Sequence, residues 1–185
     1  IAARYLPKPS GSSAASAVYV VFTAEDVAVE DFCMNSCGTH DSATVAGGQS
    51  GEVPLVWVGN PGKQCPGLCA WPYAVAQYGP PGPALTPPSG EAATDGMIVN
   101  LAVLLAGAAT NPFGTGYYEG DADAPLEAGS ACQGMFGSGS YAGYPGQLLQ
   151  ESDSGASYNA FGAKDRRFLL PALWNPATAT CVTPI

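Results

Sequence analysis

Six cysteines are the residues of this chain whose type and spacing bear most directly on chemistry. They form two C-x3-C pairs followed by two distant single residues, at Cys33, Cys37, Cys65, Cys69, Cys132 and Cys181. Zinc sites favour C-x2-C or C-x4-C pairs about 12 to 20 residues apart, whereas 27 residues separate Cys37 from Cys65. An even cysteine count in a chain with few charges is typical of an oxidising compartment. We therefore predict three disulfides in a secreted protein, with no metal and no cofactor.

The preferred disulfide pairing closes each C-x3-C pair locally. It joins Cys33 to Cys37, Cys65 to Cys69, and Cys132 to Cys181. By loop entropy, each local pair contributes about 2 kcal/mol, whereas the long loop contributes roughly 4 kcal/mol.

His40 is the only histidine, so every Ser-His-Asp or Cys-His scheme depends on it. One interpretation makes it a base beside Cys37 or Asp41. The favoured interpretation is a loop histidine held beside a disulfide, so we predict no catalytic residue.

Carboxylates and aromatic side chains leave two further interpretations open. The acidic stretch contains Glu119, Asp121, Asp123 and Glu127. Clustered oxygens can bind calcium and paired carboxylates serve glycosidases, but a solvated acidic turn is favoured. The aromatic residues that could stack on sugars are Trp57, Trp71, Tyr73, Tyr117, Tyr118, Tyr141, Tyr144 and Trp174. A protein that binds or hydrolyses wall polysaccharide therefore remains the alternative function.

The charge balance excludes several classes of partner. Six Lys and Arg stand against fifteen Asp and Glu, for a net charge of -9. Nucleic acid binding requires a basic surface, so neither nucleic acid nor an anionic membrane is an expected partner. The apolar run from Met97 to Ala109 is shorter than the ~20 residues that span a bilayer.

The hydrophobic patterning predicts an α+β fold within 185 residues. Strands are predicted at 18–23, 27–32 and 53–59, and a hairpin is predicted to turn near 162–165. A helix is predicted from Thr94 or Asp95 to the Asn111-Pro112 step. Because apolar residues occupy every side of this helix, we expect hydrocarbon to enclose it completely. The predicted architecture is a mixed or antiparallel sheet, one buried central helix and long disulfide-pinned loops, with a domain at 18–185 after an N-terminal arm or linker at 1–17.

Six blocks of sequence together resemble the exordium, or phosphate-induced, family of plant and algal extracellular proteins. They are FTAEDVAVEDFCMNSCGTH, WVGNPGKQCPGLCAWPY, DGMIVNLAVLLAGAATNPFGTGYYEG, APLEAGSAC, GQLLQESDSGASYNAFG and RRFLLPALWNPATATC. The resemblance implies a secreted apoplast or cell-wall protein linked to growth and nutrient responses, with no established enzymatic activity. Family members usually carry a signal peptide and a longer N-terminal part, so we expect a processed, partial or divergent chain.

The helix is also similar, more faintly, to the metal-binding helix of certain bacterial zincin-like peptidases. Against that pattern, Val103, Leu104, Gly107 and Asn111 stand where zinc-site residues would. Zinc requires imidazole, thiolate or carboxylate ligands. The resemblance therefore implies a degenerate zincin-like domain and a pseudoenzyme, with no ion and no open cavity beside Val103 and Gly107.

A proline-rich stretch, YGPPGPALTPPSG, spans residues 78–90. It resembles segments that plants and algae hydroxylate and O-glycosylate, with Pro80, Pro81, Pro83, Thr86, Pro87, Pro88 and Ser89 as candidate sites. The predicted function is a secreted, non-catalytic, glycosylated wall or matrix protein that acts by binding or assembly. Residues 1–17 are predicted to mediate self-association, and wall polysaccharide is a further candidate partner.

Overall fold

A three-stranded mixed sheet forms the first half of the fold. The computed structural model describes residues 17–34, 36–44, 52–80, 82–121, 123 and 125–184. Strands β1 (Tyr19–Thr23), β2 (Gly38–Thr44) and β3 (Glu52–Gly59) lie in the order β1-β3-β2. β1 pairs with β3 in parallel, and β2 pairs with β3 antiparallel. The predicted α+β class and mixed sheet are confirmed.

One long helix packs on this sheet. After a short helix α1 (Pro66–Cys69), α2 runs from Ala92 to Thr110. Met97, Leu101 and Leu104 of α2 pack on Val56 and Val58 of β3, which are 0% exposed. The central helix is thus confirmed, and the helix ends before Asn111 as predicted.

The expectation that hydrocarbon encloses α2 completely is wrong. Only five of its nineteen residues are buried. A cavity of about 380 Å³ is lined by Val103 and Leu104, among others. An apolar composition on every side of a helix therefore does not guarantee a neighbour on every side.

α2 is also longer than the apolar run considered in the sequence. By length and composition alone it could cross a membrane, a test that the core helix of a folded domain also passes. Its packing on β3 accounts for much of its apolar composition.

Two of the three predicted disulfide pairings are wrong. The structure joins Cys33 to Cys65, Cys37 to Cys69, and Cys132 to Cys181. Cys65 and Cys69 are four residues apart across one helical turn, with the amide of Cys69 donating to the carbonyl of Cys65. Residues at i and i+4 lie on the same helix face, so both sulfurs face the 33–37 segment. Two parallel cross-links result, instead of two small local loops.

The remaining elements are short antiparallel pairs. They are β4 (Leu149–Gln150) with β5 (Ser157–Tyr158), β6 (Ala160–Phe161) with β7 (Arg167–Phe168), and β8 (Leu173–Asn175) with β9 (Thr180–Val182). The β6–β7 pair confirms the predicted hairpin and its turn. The strand predicted at 27–32 is wrong, because no strand is assigned there.

A buried amide ties these short pairs to the core. The Asn159 side chain donates to the carbonyls of Phe136 and Leu170, at 2.7 Å each, and accepts from the Leu170 amide at 2.8 Å. Phe136 and Leu169 pack with Tyr73 and Val99 of α2. The second half of the chain therefore has its own core against the opposite part of the helix.

Two of the earlier expectations concern segments with limited description. Of the predicted arm at 1–17, the structure describes only Ala17. The candidate modification site Pro81 also lies outside the described residues. The Ser89 hydroxyl donates to buried Asp95 at 2.8 Å. Modification of Ser89 would break that contact, so this fold disfavours it. The other candidate sites stay predictions.

Candidate functional site

The single histidine lies in a strand and not in a loop, which corrects the favoured interpretation. His40 is in β2, and its side chain is 15% exposed. Its Nε2 lies 2.6 Å from Oε2 of Glu127. Cys37 is held in a disulfide, and the Asp41 carboxylate accepts from the Ser42 amide. The histidine therefore pairs with a distant carboxylate, which neither sequence-based interpretation named.

Glu127 is the centre of a buried polar cluster. Its Oε1 accepts from the Asn111 side chain at 2.7 Å, and its amide donates to the Ser130 hydroxyl at 2.8 Å. Asn111 is 2% exposed, and its side-chain oxygen accepts from the Gly116 amide at 2.7 Å. We call His40, Asn111 and Glu127 the polar clamp.

Gly107 makes the polar clamp sterically possible. A β-carbon at this position would lie 2.4 Å from Nε2 of His40 and 2.9 Å from Oε2 of Glu127. Real β-carbons do not approach other atoms so closely. The helix therefore needs glycine here, although glycine costs about 1 kcal/mol relative to alanine inside a helix.

The polar clamp joins three segments that are distant in sequence. It holds β2, the C-terminal end of α2 and the end of the acidic stretch together. Both carboxylate oxygens of Glu127 are engaged by His40 and Asn111. Breaking a buried charge pair by removing one partner is strongly destabilising. Removing one partner leaves an uncompensated charge.

The residues that were compared with a zinc site have other contacts in the structure. Gly107 contacts the polar clamp, Asn111 belongs to it, and Leu104 packs on β3. Among the residues that the structure describes, no three His, Cys, Asp or Glu side chains are grouped closely enough to hold a metal ion.

The acidic stretch separates into one buried residue and three exposed ones. Glu119, Asp121 and Asp123 are exposed, and an oxygen of Asp121 accepts from the Asp123 amide at 3.1 Å. Glu127 instead faces inward as part of the polar clamp. Glu119 and Glu127 nevertheless line one cavity of about 260 Å³ together with Tyr117, Tyr118 and Trp174.

An open groove on another part of the surface is lined by aromatic rings. Trp71, Tyr78 and Tyr141 contribute to its walls, with Gln133 and Ser140 among the polar residues, around a volume of about 380 Å³. Tyr78 is 75% exposed and Tyr141 is 67% exposed. None of the lining residues is charged. We call this feature the aromatic groove.

A tight turn positions one wall of the aromatic groove. The amide and carbonyl of Tyr141 bond those of Tyr144, and Gly143 between them has a φ of 87°. Glycine adopts such angles without strain. The two tyrosine rings lie 5.1 Å apart. A β-carbon on Gly143 would meet the Pro80 ring at 3.2 Å, so the proline-rich stretch packs against this turn.

The aromatic residues predicted as sugar contacts divide between core and surface. Trp57 packs edge-on against Phe32, and Tyr73 is buried in the core. Trp71 and Tyr141 line the aromatic groove. Tyr78, which the sequence did not single out, completes it. Its position in a proline-rich stretch was the available signal, because such stretches lie on the surface.

These features define the class of protein as a disulfide-linked α+β domain with a buried polar clamp and an open aromatic groove. The family described as the phosphate-induced protein 1 conserved region matches residues 3–184. The chain therefore belongs to the phosphate-induced protein 1, or exordium-like, family.

Several members of this family are close relatives in sequence. Protein PHOSPHATE-INDUCED 1 of Nicotiana tabacum is 53% identical over 169 residues, which cover 90% of this chain and 54% of the relative. Protein EXORDIUM of Arabidopsis thaliana is 51% identical over 170 residues, which cover 92% of this chain and 54% of the relative. The chain thus spans about half the length of these curated relatives. No solved structure matches the chain.

Proposed function

We propose that this chain is a secreted, non-catalytic protein that binds neutral polysaccharide of the cell wall or extracellular matrix through the aromatic groove. The observation that carries the proposal is a groove with no charged lining residue, walled by the exposed rings of Tyr78 and Tyr141 and the half-buried ring of Trp71. Such rings present apolar faces to a ligand and keep polar atoms at their edges. Sugar rings offer matching apolar faces and hydroxyls.

The absence of charge in the lining selects the ligand class. The chain has a net charge of -9, so an acidic polysaccharide is repelled at long range. Gln133 and Ser140 provide uncharged hydrogen-bonding side chains within the aromatic groove. A neutral glucan, xylan or mannan therefore fits better than polygalacturonate.

Secretion is supported by the cysteines. All six form disulfides, which persist in extracellular compartments and are rare in the reducing cytosol. The absence of catalysis is a separate part of the proposal. It is supported by the polar clamp, in which His40 and Glu127 engage each other in place of a reacting group.

The test measures binding of neutral and acidic oligosaccharides by calorimetry. The expected result is binding to at least one neutral class and none to polygalacturonate. Loss of one stacking ring is worth roughly 1 kcal/mol, so Trp71→Ala and Tyr78→Ala are each expected to weaken binding about fivefold. Tyr117→Ala, which removes a 40% exposed ring outside the aromatic groove, is the matched control. Equal losses in all three variants would contradict the assignment.

A hydrolase is the second candidate, favoured by the cavity that Glu119 and Glu127 share with Tyr117, Tyr118 and Trp174. Retaining and inverting glycosidases both use two carboxylates. Release of reducing ends from any neutral polysaccharide, abolished by Glu119→Gln, would support this candidate. It would contradict the non-catalytic proposal.

Assembly is a separate part of the proposed function. We propose that residues 1–17 mediate self-association of the chain. Sedimentation of the whole chain and of a chain lacking residues 1–17 decides it. An unchanged monomeric mass in both would overturn the assembly role without affecting polysaccharide binding.

A further inference from the structure

Strand β1 has two exposed apolar side chains whose partners in the sheet are buried. Val20 pairs with Val56, and Phe22 pairs with Val58. Partners in register point to the same side of a sheet. Val56 and Val58 are 0% exposed, whereas Val20 is 38% exposed and Phe22 is 52% exposed. The sheet face is therefore buried along β3 and open along β1.

The position of α2 explains the difference. Met97, Leu101 and Leu104 of α2 cover Val56 and Val58. β1 lies at the edge of the sheet, next to β3. On the opposite side of β1, Thr23 accepts from the Trp57 indole at 3.2 Å and is half-buried. Among the described residues, no element covers β1 on the face that bears the helix. We call Val20 and Phe22 the open face.

The family supplies polypeptide that could cover this surface. The matched residues correspond to 54% of the tobacco relative and 54% of the Arabidopsis relative. The remainder of those chains is long enough for several further elements. The open face also continues the core cluster of Val56, Val58 and Ala108, so a second helix placed on it would enlarge an existing core.

We propose that the open face is the docking site for an amphipathic helix supplied by the part of the family's chains that this chain does not span. The helix lies beside α2, with an apolar stripe on Val20 and Phe22. This inference is independent of the aromatic groove and of polysaccharide binding.

The experiment expresses this chain, in an oxidising secretory host, together with the part of the tobacco relative that lies outside the matched stretch. Phe22→p-benzoylphenylalanine places a photo-crosslinking ring in the open face and keeps an aromatic side chain there. The same replacement at Phe161, which is 65% exposed in β6, is the control. The expected result is a one-to-one cross-linked product from position 22 and none from position 161.

A second measurement follows recovery of the complex. Phe22→Asp is expected to lower co-purification of the added polypeptide at least tenfold, and Phe161→Asp is expected to leave it unchanged. Failure to co-purify with the unaltered chain would overturn the proposal. Cross-linking from position 22 to a second copy of this chain, or to residues 1–17, would also overturn it, because another occupant would then cover the open face.

Discussion

At Gly107, helix propensity favours alanine, whereas the close packing of the polar clamp requires glycine. The variant Gly107→Ala tests which effect is larger. In an unconstrained helix the change stabilises by about 1 kcal/mol. Here the new methyl group meets His40 and Glu127, and overpacking typically costs about 1 to 3 kcal/mol. Because both contacts would be shorter than 3.0 Å, we expect overpacking near the upper end of that range, about 3 kcal/mol. The net loss in the free energy of unfolding is then about 2 kcal/mol, measured by urea denaturation without reductant.

The exposed helix residue Ala109 provides the control for this change. Ala109→Gly is expected to lose about 1 kcal/mol through propensity alone. A second readout is the Gly107→Ala, His40→Ala double variant, in which the clash is partly relieved and the two losses are not additive. A Gly107→Ala variant more stable than the unaltered chain would show that the polar clamp is not tightly packed.

Tyr73 is the second residue with a testable energetic role. It is 5% exposed, and its hydroxyl has no hydrogen-bond partner among the described residues. Burial, with a further contribution from the Asp95 charge, raises the pKa of Tyr73 well above its ordinary value. An unpaired buried polar group costs about 1 to 3 kcal/mol. Tyr73→Phe is therefore expected to stabilise the chain by about 1 kcal/mol at neutral pH.

The raised pKa of Tyr73 also fixes the sign of a pH effect. Below pH about 10 the phenol is neutral in both states, and above it the unfolded state ionises first. The folded state then loses up to about 1.4 kcal/mol per pH unit relative to the unfolded state. Unfolding curves at pH 9 and pH 11 are expected to show a steeper loss for the unaltered chain than for Tyr73→Phe. Parallel losses would contradict this.

At the residue scale, the sequence singled out each residue of the polar clamp but did not predict that they contact one another. Gly107 and Asn111 were singled out as positions that a metal site had lost, and Glu127 as one of several acids. His40 and Glu127 are 87 positions apart in the chain. Nothing in local spacing brings them together, because the contact depends on how α2 packs on the sheet.

At the scale of elements, removing one of the two parallel disulfides is expected to cost much less stability than removing both. Each closes a separation of 32 residues. Removing Cys33–Cys65 alone leaves the loop closed by Cys37–Cys69, so only a small ring of about eight residues is released, worth about 2.5 kcal/mol. Removing both releases the long loop as well and is expected to cost about 6 kcal/mol.

The third disulfide provides the comparison for this prediction. Cys132–Cys181 closes a separation of 49 residues, and its removal by paired Cys→Ala changes is expected to cost about 4 kcal/mol. Urea denaturation of the three variants gives the order: one parallel disulfide, then Cys132–Cys181, then both parallel disulfides. A single parallel disulfide that costs more than Cys132–Cys181 would contradict the shared-loop argument.

The elements differ in how far sequence could predict them. β3 was predicted because VPLVWVG is a short apolar run that ends in a turn signal, and α2 was predicted because its apolar length and its proline stop are local. β2 was missed, because Gly38–Thr44 is mostly polar and is a strand only through its pairing with β3. Two disulfide pairings were wrong for the same reason: Cys65 just before α1 and Cys69 at its end face a segment that only the folded chain brings near.

At the scale of the whole molecule, the salt dependence of binding distinguishes a neutral ligand from an ionic one. The chain carries -9 net charge, but the aromatic groove has no charged lining residue. Because salt screens interactions between charges, binding of a neutral oligosaccharide is expected to change less than about twofold between roughly 50 and 500 mM salt. Calorimetry across that range checks this. A strong salt dependence would indicate an ionic ligand instead.

The three disulfides leave the two halves of the chain without a cross-link between them. Two bonds span residues 33–69, and the third spans residues 132–181, so no bond crosses any point between 70 and 131. A protease that cuts the proline-rich stretch therefore leaves two fragments held together only by packing, which a detergent gel without reductant resolves as two bands. A cut at the β6–β7 turn leaves one band until reductant is added. Release of one half of the molecule from the other after such a nick therefore requires loss of the packing between them but no reducing chemistry.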